Sequence, residues 1–271
     1  MRIGSIVRKF LWHPLAKGDH DVDDPGSRIP LHRQLIDAKP LLRAGYLHWY
    51  QELLPAYHET AHLEGEIIEL GCGPSFLEEF VPGLVKTDSV PNPYAHKIVD
   101  AMRMDYPDAT LRAILAVGVL HHLPHPGRFL REAERCLKPG GRLVLVEPSH
   151  HYPAPGFPRA LFSLLDHYEY FDDTVQSWEN EGAGNMRGAN LALTWLIFER
   201  DREIFARRYP SLRIRDLHYH SFLSHILAGG FSLRSVVPRP AISTLFALER
   251  ALTPFMHRLG AMMTVHLEKI D

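Results

Sequence analysis

The chain has 271 residues, and its 30 Lys and Arg side chains nearly balance 32 Asp and Glu, for a formal net charge of -2. A hydrophobic fraction of 45% and a charged fraction of 23% are ordinary globular values, which exclude a disordered or low-complexity protein. The near-neutral balance argues against a nucleic-acid binder that works by bulk charge. With only Cys72 and Cys136, a disulfide framework is excluded and a reducing, cytoplasmic setting is expected.

The first residues mix basic and apolar side chains. Residues 1–16 contain Arg2, Arg8 and Lys9 among isoleucine, phenylalanine, leucine and tryptophan, and no cleavage site follows, so a secretory signal is not expected. Two interpretations stay open: a helix lying on a membrane or a partner, and a helix packed on its own domain. No run along the chain reaches the roughly 18–20 apolar residues that span a bilayer.

The front of the chain indicates a helical cap over residues 1–64. Residues 18–30 are acidic and rich in turn formers, which predicts a loop. From residue 31 to residue 59 apolar side chains recur at helical spacing, and Pro40 divides this stretch into two predicted helices.

The middle of the chain alternates short apolar runs with helical patterns, which predicts an open parallel sheet. Five strands are expected at 66–70, 84–88, 97–100, 112–117 and 142–148, and the first and the fifth are predicted to be buried. An amphipathic helix is predicted over 126–137, and we expect it to end at the Lys138–Gly141 turn, where glycine favours a left-handed cap.

After Pro148 the pattern loosens, although two more strands are expected. Residues 149–160 and 180–190 are predicted to be loops near the site, and residues 194–209 a helix. Alternating stretches at 212–219 and 262–270 predict strands, with an apolar segment, 221–261, between them. We predict one domain over 1–271, with a core at 65–148 and acceptor-side insertions and the last two strands at 149–271.

Chemistry-bearing residues follow the predicted strands, at the sheet edge where open α/β sheets bind ligands. The first strand runs through Glu69 into a turn with Gly71 and Gly73, where the backbone can approach a ligand closely. The second strand ends in Asp88, an acid suited to a ribose diol, and the third ends in Asp100. Ala101 and Met102, which follow Asp100, can flank a flat ring.

Two cofactor classes compete for this arrangement. A nicotinamide dinucleotide site requires G-x-G-x-x-G, but Phe76 stands at the third glycine position. Pro74 also removes an N–H from the turn that would cradle a pyrophosphate. An adenosyl group with an amino-acid tail and no phosphate fits better, so the residues favour an S-adenosylmethionine site over a nicotinamide oxidoreductase.

The central third of the chain resembles the class I S-adenosylmethionine-dependent methyltransferases, in the group of small-molecule and lipid methyltransferases. The resemblance is carried, in order, by EIIELGCGP (66–74), LVKTDSV (84–90), IVDAMRMDYPD (98–108) and ILAVGVLHHLPHPGRFLREAERCLKPGGRLVLVEP (114–148). It implies a Rossmann-like α/β fold with a seven-stranded, mostly parallel sheet, to which the N-terminal helical cap and helical insertions are added.

The resemblance also implies roles for residues at the strand ends. The methionine portion of S-adenosylmethionine would lie in a loop formed by Glu69, Gly71, Cys72 and Gly73. The ribose would bind Asp88, beside Ser89, and the adenine would bind Asp100, Ala101 and Met102. The path to the sulfonium would be lined by Val117 and Gly118.

His121 and His122 follow the fourth predicted strand, near the expected position of the methyl group. A histidine can remove a proton from a hydroxyl or amine, which makes both candidate catalytic bases, with His121 favoured. The alternative is that they pack against the cofactor tail or order the loop. No H-E-x-x-H or comparable ligand spacing is present, so no metal site is expected, and Cys136 is expected in the core.

The expected acceptor is a small molecule, a glycan or a lipid-linked molecule, methylated on O or N to leave S-adenosylhomocysteine. The apolar segment 221–261 carries arginines that could meet a membrane surface, or it forms a helical subdomain on the sheet edge. No nucleic-acid partner is expected, because the N-P-Y sequence at residues 92–94 follows the second strand and not the fourth. The alternative function is a catalytically silent S-adenosylmethionine-binding scaffold.

Overall fold

The computed structural model describes residues 11–17, 21, 23–152, 169–180, 186 and 188–271. The predictions for most of residues 1–16 and of the loops after residues 149 and 180 fall outside these ranges. Among the described residues, no helix is both long enough and apolar enough to span a bilayer.

A seven-stranded sheet forms the centre of the molecule. Its strands are Glu66–Leu70 (β1), Leu84–Asp88 (β2), Lys97–Ile98 (β3), Leu111–Val117 (β4), Leu137–Pro148 (β5), Leu212–His220 (β6) and Met262–Lys269 (β7). They lie in the order β3-β2-β1-β4-β5-β7-β6, parallel except for β7, which runs antiparallel to both neighbours. The predicted seven-stranded, mostly parallel sheet of the Rossmann-like type is therefore confirmed.

Helices cover both faces of the sheet. The α-helices are Pro25–Ala38 (α1), Pro40–Glu59 (α2), Pro126–Cys136 (α3), Leu193–Trp195 (α4), Arg202–Arg208 (α5), Leu223–Ala228 (α6), Ile242–Ala251 (α7) and Met256–Leu259 (α8). Shorter turns are the 3-10 segments Pro14–Lys17, Leu77–Glu79, Leu120–His122, Arg239–Ala241 and Thr253–Phe255, and the π segment Leu196–Arg200.

Two apolar clusters fill the space between the layers. On one face, α3 buries Phe129, Leu130 and Ala133 against the sheet, in the cluster that also contains Cys136. On the other face, α2 buries Tyr50 and Leu53. The prediction that Cys136 is a core residue is confirmed.

Helix α1 begins earlier than the sequence predicted. Residues 18–30 were expected to form a loop, but a helix starts at Pro25, with Asp24 as its N-cap. The Asp24 carboxylate accepts hydrogen bonds from the N–H groups of Gly26 (3.2 Å) and Ser27 (3.0 Å). An acid followed by proline is a helix start as well as a turn signal, since proline at the first helical position has no N–H to satisfy. The division of the two helices at Pro40 is confirmed.

Three other boundaries differ from the predictions. Strand β5 begins at Leu137, not at residue 142, so Gly140 (φ +78°) lies within the strand and does not cap α3. Strand β3 is limited to two residues. The helix predicted over 194–209 is broken after Arg200, because a π turn there shifts the hydrogen-bond pattern.

Candidate active site

The turn after β1 depends on two glycines in the left-handed region. Gly71 has φ +57° and Gly73 has φ +48°. A Cβ on Gly71 would lie 2.7 Å from Cγ2 of Val119, so a side chain is excluded there by contact as well as by conformation. Between them, the Cys72 N–H donates to the Thr87 carbonyl at 2.8 Å, which holds the turn against the end of β2. Burial raises the pKa of the Cys72 thiol, which keeps it neutral.

Asp88, at the end of β2, organises this turn. Its Oδ2 accepts from the Gly73 N–H at 3.0 Å and from the Asn92 amide at 2.7 Å, and its Oδ1 accepts from the Ser89 N–H at 2.8 Å. A carboxylate offers about four lone-pair positions. Three are used, so one hydroxyl can be accepted directly, and a second would displace the Asn92 amide.

Glu69 presents a buried carboxyl group beneath the turn. The residue is 2% exposed, and among the described residues its Oε2 has no hydrogen-bond partner. Burial raises its pKa to about 8, against the opposing effects of Ser75 and Lys86. Its charge in turn helps to raise the pKa of Tyr46, a residue of α2. A buried carboxyl group with one unpartnered oxygen is suited to receive a cation.

Asp100 lies beyond β3, at the same edge of the sheet. The Val99 N–H donates to the Asp88 carbonyl at 2.8 Å, which joins the two strand ends. One carboxylate oxygen of Asp100 accepts from the Met102 N–H at 2.8 Å, while the residue is exposed. Ala101 is buried beneath it. The residues predicted around the ribose and the adenine therefore stand on neighbouring strands.

Glu147, near the end of β5, fixes the loop that follows β4. The residue is fully buried, and its Oε1 accepts from the N–H groups of Val119 (2.7 Å) and Leu120 (2.8 Å). Just before them, Gly118 has φ +66°, and its N–H donates to the Val146 carbonyl at 2.8 Å. These contacts set the path of the backbone from Val117 to the two histidines.

His121 is buried and paired with the same glutamate. Its Nδ1 lies 2.6 Å from Oε2 of Glu147, while its Nε2 lies 3.7 Å from a carboxylate oxygen of Glu169. Burial alone would lower the pKa of His121, but the charge and hydrogen bond of Glu147, followed by those of Glu169, raise it to about 9. At neutral pH, therefore, the His121 ring is protonated and paired with Glu147.

His122 has the opposite electrostatic situation. Its ring centroid lies 4.2 Å from that of His121, and its Nε2 lies 3.6 Å from Glu169. Burial, together with the positive charges of His121 and of Arg28 on α1, lowers its pKa to about 4. Within the described part of the chain its Nδ1 has no hydrogen-bond partner. His122 is therefore neutral at pH 7, with one buried ring nitrogen that makes no hydrogen bond among the described residues.

The same side chains have the spacing of a metal site. Donor atoms of His121, His122 and Glu169 lie within 4.8 Å of one another. The sequence predicted no metal, because it offers no compact ligand motif. The contacts among these three residues also account for their packing without a metal.

An aromatic wall lies on the same face of the sheet as α2. Tyr46 and Trp49 of α2 have ring centroids 4.9 Å apart, and Tyr46 also faces Phe231 at 6.4 Å. Tyr152 pairs with His225 of α6 at 5.0 Å. The partly buried residues that pack against the apolar cluster on this face of the sheet include Tyr46, Trp49, Val117, Tyr152, Leu223, Leu227 and Phe231.

Sequence reasoning missed the residues that support the site. Asn92, whose side-chain amide donates to Asp88, is not among the predicted site residues. Its position four residues after Asp88 and directly before a proline could have indicated a turn that brings the two side chains together. Glu147 closes a predicted strand, and an acid at the end of an apolar run could have marked it. Glu169 and Arg28 reach the site from outside the motif-bearing segment and carried no local signal.

The strand order, the glycine turn after β1 and the acids after β2 and β3 together define a Rossmann-like sheet of the class I methyltransferase type. Residues 68–145 match a family model described as a methyltransferase domain. The predicted resemblance of the central third of the chain to the class I S-adenosylmethionine-dependent methyltransferases, with S-adenosylmethionine as the cofactor, is therefore confirmed.

The matching curated relatives share short segments with the chain. One is the 27-O-demethylrifamycin SV methyltransferase of Amycolatopsis mediterranei, 48% identical over 46 residues, or 17% of each chain. Another is the demethylmenaquinone methyltransferase of Tropheryma whipplei, 33% identical over 88 residues, which are 28% of this chain and 37% of the relative. The matches thus span well under two thirds of these relatives.

Similar solved structures extend over most of the chain. Geranyl diphosphate methyltransferase in complex with S-adenosylmethionine aligns with 96% of each chain at 12% identity, with a TM-score of 0.49. A sarcosine dimethylglycine methyltransferase from Galdieria sulphuraria covers 86% of this chain and 91% of its own, at 13% identity and a TM-score of 0.46.

Proposed function

We propose that the chain transfers a methyl group from S-adenosylmethionine to an O or N atom of a small-molecule acceptor. The observation that carries this proposal is the glycine turn bonded to Asp88, above the buried carboxyl of Glu69. It offers a close backbone approach, an acceptor for ribose and a partner for an ammonium group, with no phosphate cradle.

In this proposal the cofactor lies across the carboxyl ends of the strands. Glu69 pairs with the amino group of the methionine portion, and Gly71, Cys72 and Gly73 surround that portion. The other proposed contacts, which follow the strand order, are Asp88 and Ser89 with the ribose, Asp100, Ala101 and Met102 with the adenine, and Val117 and Gly118 with the region of the sulfonium. S-adenosylmethionine supplies an electrophilic methyl group when it is bound.

We assign the base role to His122 and a positioning role to His121. The sequence favoured His121, but its pKa of about 9 leaves it protonated at neutral pH, whereas His122 is neutral. His121 and Glu147 hold the loop on which His122 lies. In-line placement of acceptor, methyl and sulfur supplies much of the rate, so a weak base is sufficient.

The acceptor side is proposed to be formed by the cap and by residues 149–271, around the core at 65–148, in one domain. The aromatic wall, which packs against the same apolar cluster as Val117, favours an acceptor with an apolar body. Two of the relatives named above, the 27-O-demethylrifamycin SV and demethylmenaquinone methyltransferases, are named for small-molecule acceptors, which supports this proposal. We propose a cytoplasmic location. Glycan acceptors, lipid-linked acceptors and binding to lipid vesicles are tested separately from small-molecule acceptors.

Binding and turnover are tested separately. Asp88→Asn should weaken S-adenosylhomocysteine binding by about 1–3 kcal/mol, because one acceptor oxygen is replaced by an NH2 group that can only donate. Asp105→Asn, an exposed acid near the site, is the matched control and should bind normally. Unchanged affinity of Asp88→Asn would refute the ribose assignment.

For turnover, the wild type is screened for methyl transfer to small-molecule, glycan and lipid-linked acceptors. With an acceptor that the wild type methylates, the His122→Gln variant should lose most of the kcat. If S-adenosylmethionine binds but no acceptor in any class is methylated, the silent scaffold replaces the enzyme.

A further inference from the structure

A band of polar side chains lies between α2 and the β6–β7 edge of the sheet. The apolar part of this face of the sheet packs against α2 through residues such as Leu53 and Val144. The band consists of His48, Glu52, Asp216, His218, His220, Thr264 and His266. It stands apart from the glycine turn and the two histidines of the candidate active site, which lie at the ends of β1 and β4.

His218 is held between two carboxylates. Its Nδ1 lies 2.6 Å from Oδ2 of Asp216, and its Nε2 lies 2.8 Å from Oε2 of Glu52. An imidazole that donates from Nδ1 to Asp216 directs a lone pair from Nε2 at Glu52. Two acceptors then face each other, and only a cation between them, a proton or a metal ion, satisfies both. A histidine with a carboxylate on its second nitrogen is the usual arrangement of a metal-bound imidazole.

His266 supplies a third donor from the neighbouring strand. It stands opposite Asp216 in the antiparallel pair, and its ring is stacked at 6.0 Å from that of His218. Donor atoms of Glu52, His218 and His266 all lie within 4.8 Å of one another. Metal–ligand bonds of about 2.0–2.2 Å place tetrahedral ligands about 3.4 Å apart. Because no two donor atoms are more than 4.8 Å apart, each pair has to approach by about 1.4 Å at most, which side-chain rotation can supply.

We propose that Glu52, His218 and His266 bind a divalent first-row transition metal ion, with Asp216 orienting His218. Two imidazoles and one carboxylate suit Zn²⁺, Fe²⁺, Co²⁺ or Ni²⁺, and not Mg²⁺ or Ca²⁺, which prefer oxygen ligands alone. The side chain of His218 is 38% exposed and that of Glu52 20%, so an ion from solvent can reach the donors. The ion joins α2 to the sheet edge and does not depend on the proposed methyl transfer.

The test is titration of the chelator-treated full chain with Zn²⁺, read as stoichiometry by calorimetry and as the shift of the thermal midpoint. His266→Ala should lose one bound equivalent and its share of the Zn²⁺-induced rise in midpoint. His62→Ala, which removes an exposed histidine, is the matched control and should titrate as the wild type. The titrations are repeated with His122→Ala, because the group at the candidate active site is a second possible Zn²⁺ binder.

Asp216→Asn guards against a folding artefact, because it removes no ligand. It should weaken Zn²⁺ binding at this site about 10- to 100-fold while circular dichroism stays unchanged. Mg²⁺ should give no shift of the midpoint in any variant. The proposal is overturned if the wild type binds no Zn²⁺, or if His266→Ala binds it with the stoichiometry and affinity of the wild type.

Discussion

Cofactor binding should release a proton from Glu69. The carboxyl group is buried beneath the glycine turn, and its pKa of about 8 keeps it protonated in the free protein at mildly acidic pH. If it pairs with the ammonium group of the cofactor, as we propose, it must ionise when the cofactor binds. Glu69→Gln removes the titrating proton and keeps a group that can accept a hydrogen bond.

The size of the effect follows from this pKa. A pH of 6.5 is about 1.5 pH units below the pKa of Glu69, so about 30 protein molecules carry a protonated Glu69 for each one in which it is ionised. An α-amino group, with a pKa of about 7.7–8.0, is already cationic at that pH. Binding should therefore release close to one proton. Ionising Glu69 costs about 2 kcal/mol at pH 6.5, and affinity should rise about five- to tenfold by pH 7.5.

The assay is isothermal titration with S-adenosylhomocysteine at pH 6.5, in buffers of different ionisation enthalpy. The dependence of the heat on the buffer gives the number of protons released. Glu66→Gln, an exposed glutamate at the start of β1, should behave as the wild type. If Glu69→Gln releases as many protons as the wild type, or if the wild type releases none, the pairing of Glu69 with the ammonium group is wrong.

Two further predictions concern the loops of the site. Gly71→Ala should cost about 1–3 kcal/mol more in free energy of unfolding than Gly83→Ala: both have positive φ, but only the Gly71 substitution places a Cβ against Val119. Adding Val119→Ala should remove the difference in denaturant unfolding. Glu147→Gln should lower the pKa of His121 from about 9, because burial, which lowers it, is then opposed by Glu169 alone. NMR titration of the His121 ring measures this shift. Because the pKa of His121 is higher in the folded state than in the unfolded state, its protonation stabilises the fold. That contribution to the free energy of unfolding is complete below about pH 6.5 and is lost as the pH rises through about 9.

The parallel half of the fold could be predicted because its signals are local. Strands buried on both faces are continuous apolar runs, and the residue that ends each run must lie at the sheet edge where ligands bind. Glu69, Asp88 and Asp100 were predicted in this way. In the structure they lie at the carboxyl ends of three adjacent strands: Glu69 near the end of β1, Asp88 as the last residue of β2, and Asp100 just after β3. Local patterns were less reliable at boundaries: the same proline that marks a turn also begins α1.

The supporting contacts could not be predicted, because they join segments that are far apart in the chain. Glu147 and His121 are 26 residues apart, and Glu169 reaches both histidines from beyond the motif-bearing segment. Nothing in the sequence near His121 indicates that its pKa is raised and that of its neighbour lowered. The difference between the two pKa values decides which ring can accept a proton at neutral pH. It arises from burial and from carboxylates on other elements.

The polar band at the sheet edge shows the same limit most clearly. A search for metal sites by ligand spacing requires donors on one element, as in H-E-x-x-H, and here Glu52 lies on α2, His218 on β6 and His266 on β7. The antiparallel pairing of β6 and β7 brings the two histidines together, although 48 residues separate them. Alternation along an edge strand predicts which side chains share a face, but not that a helix from the front of the chain will place a carboxylate over them. The donor set is therefore a product of the fold, and titration with Zn²⁺ tests that product directly.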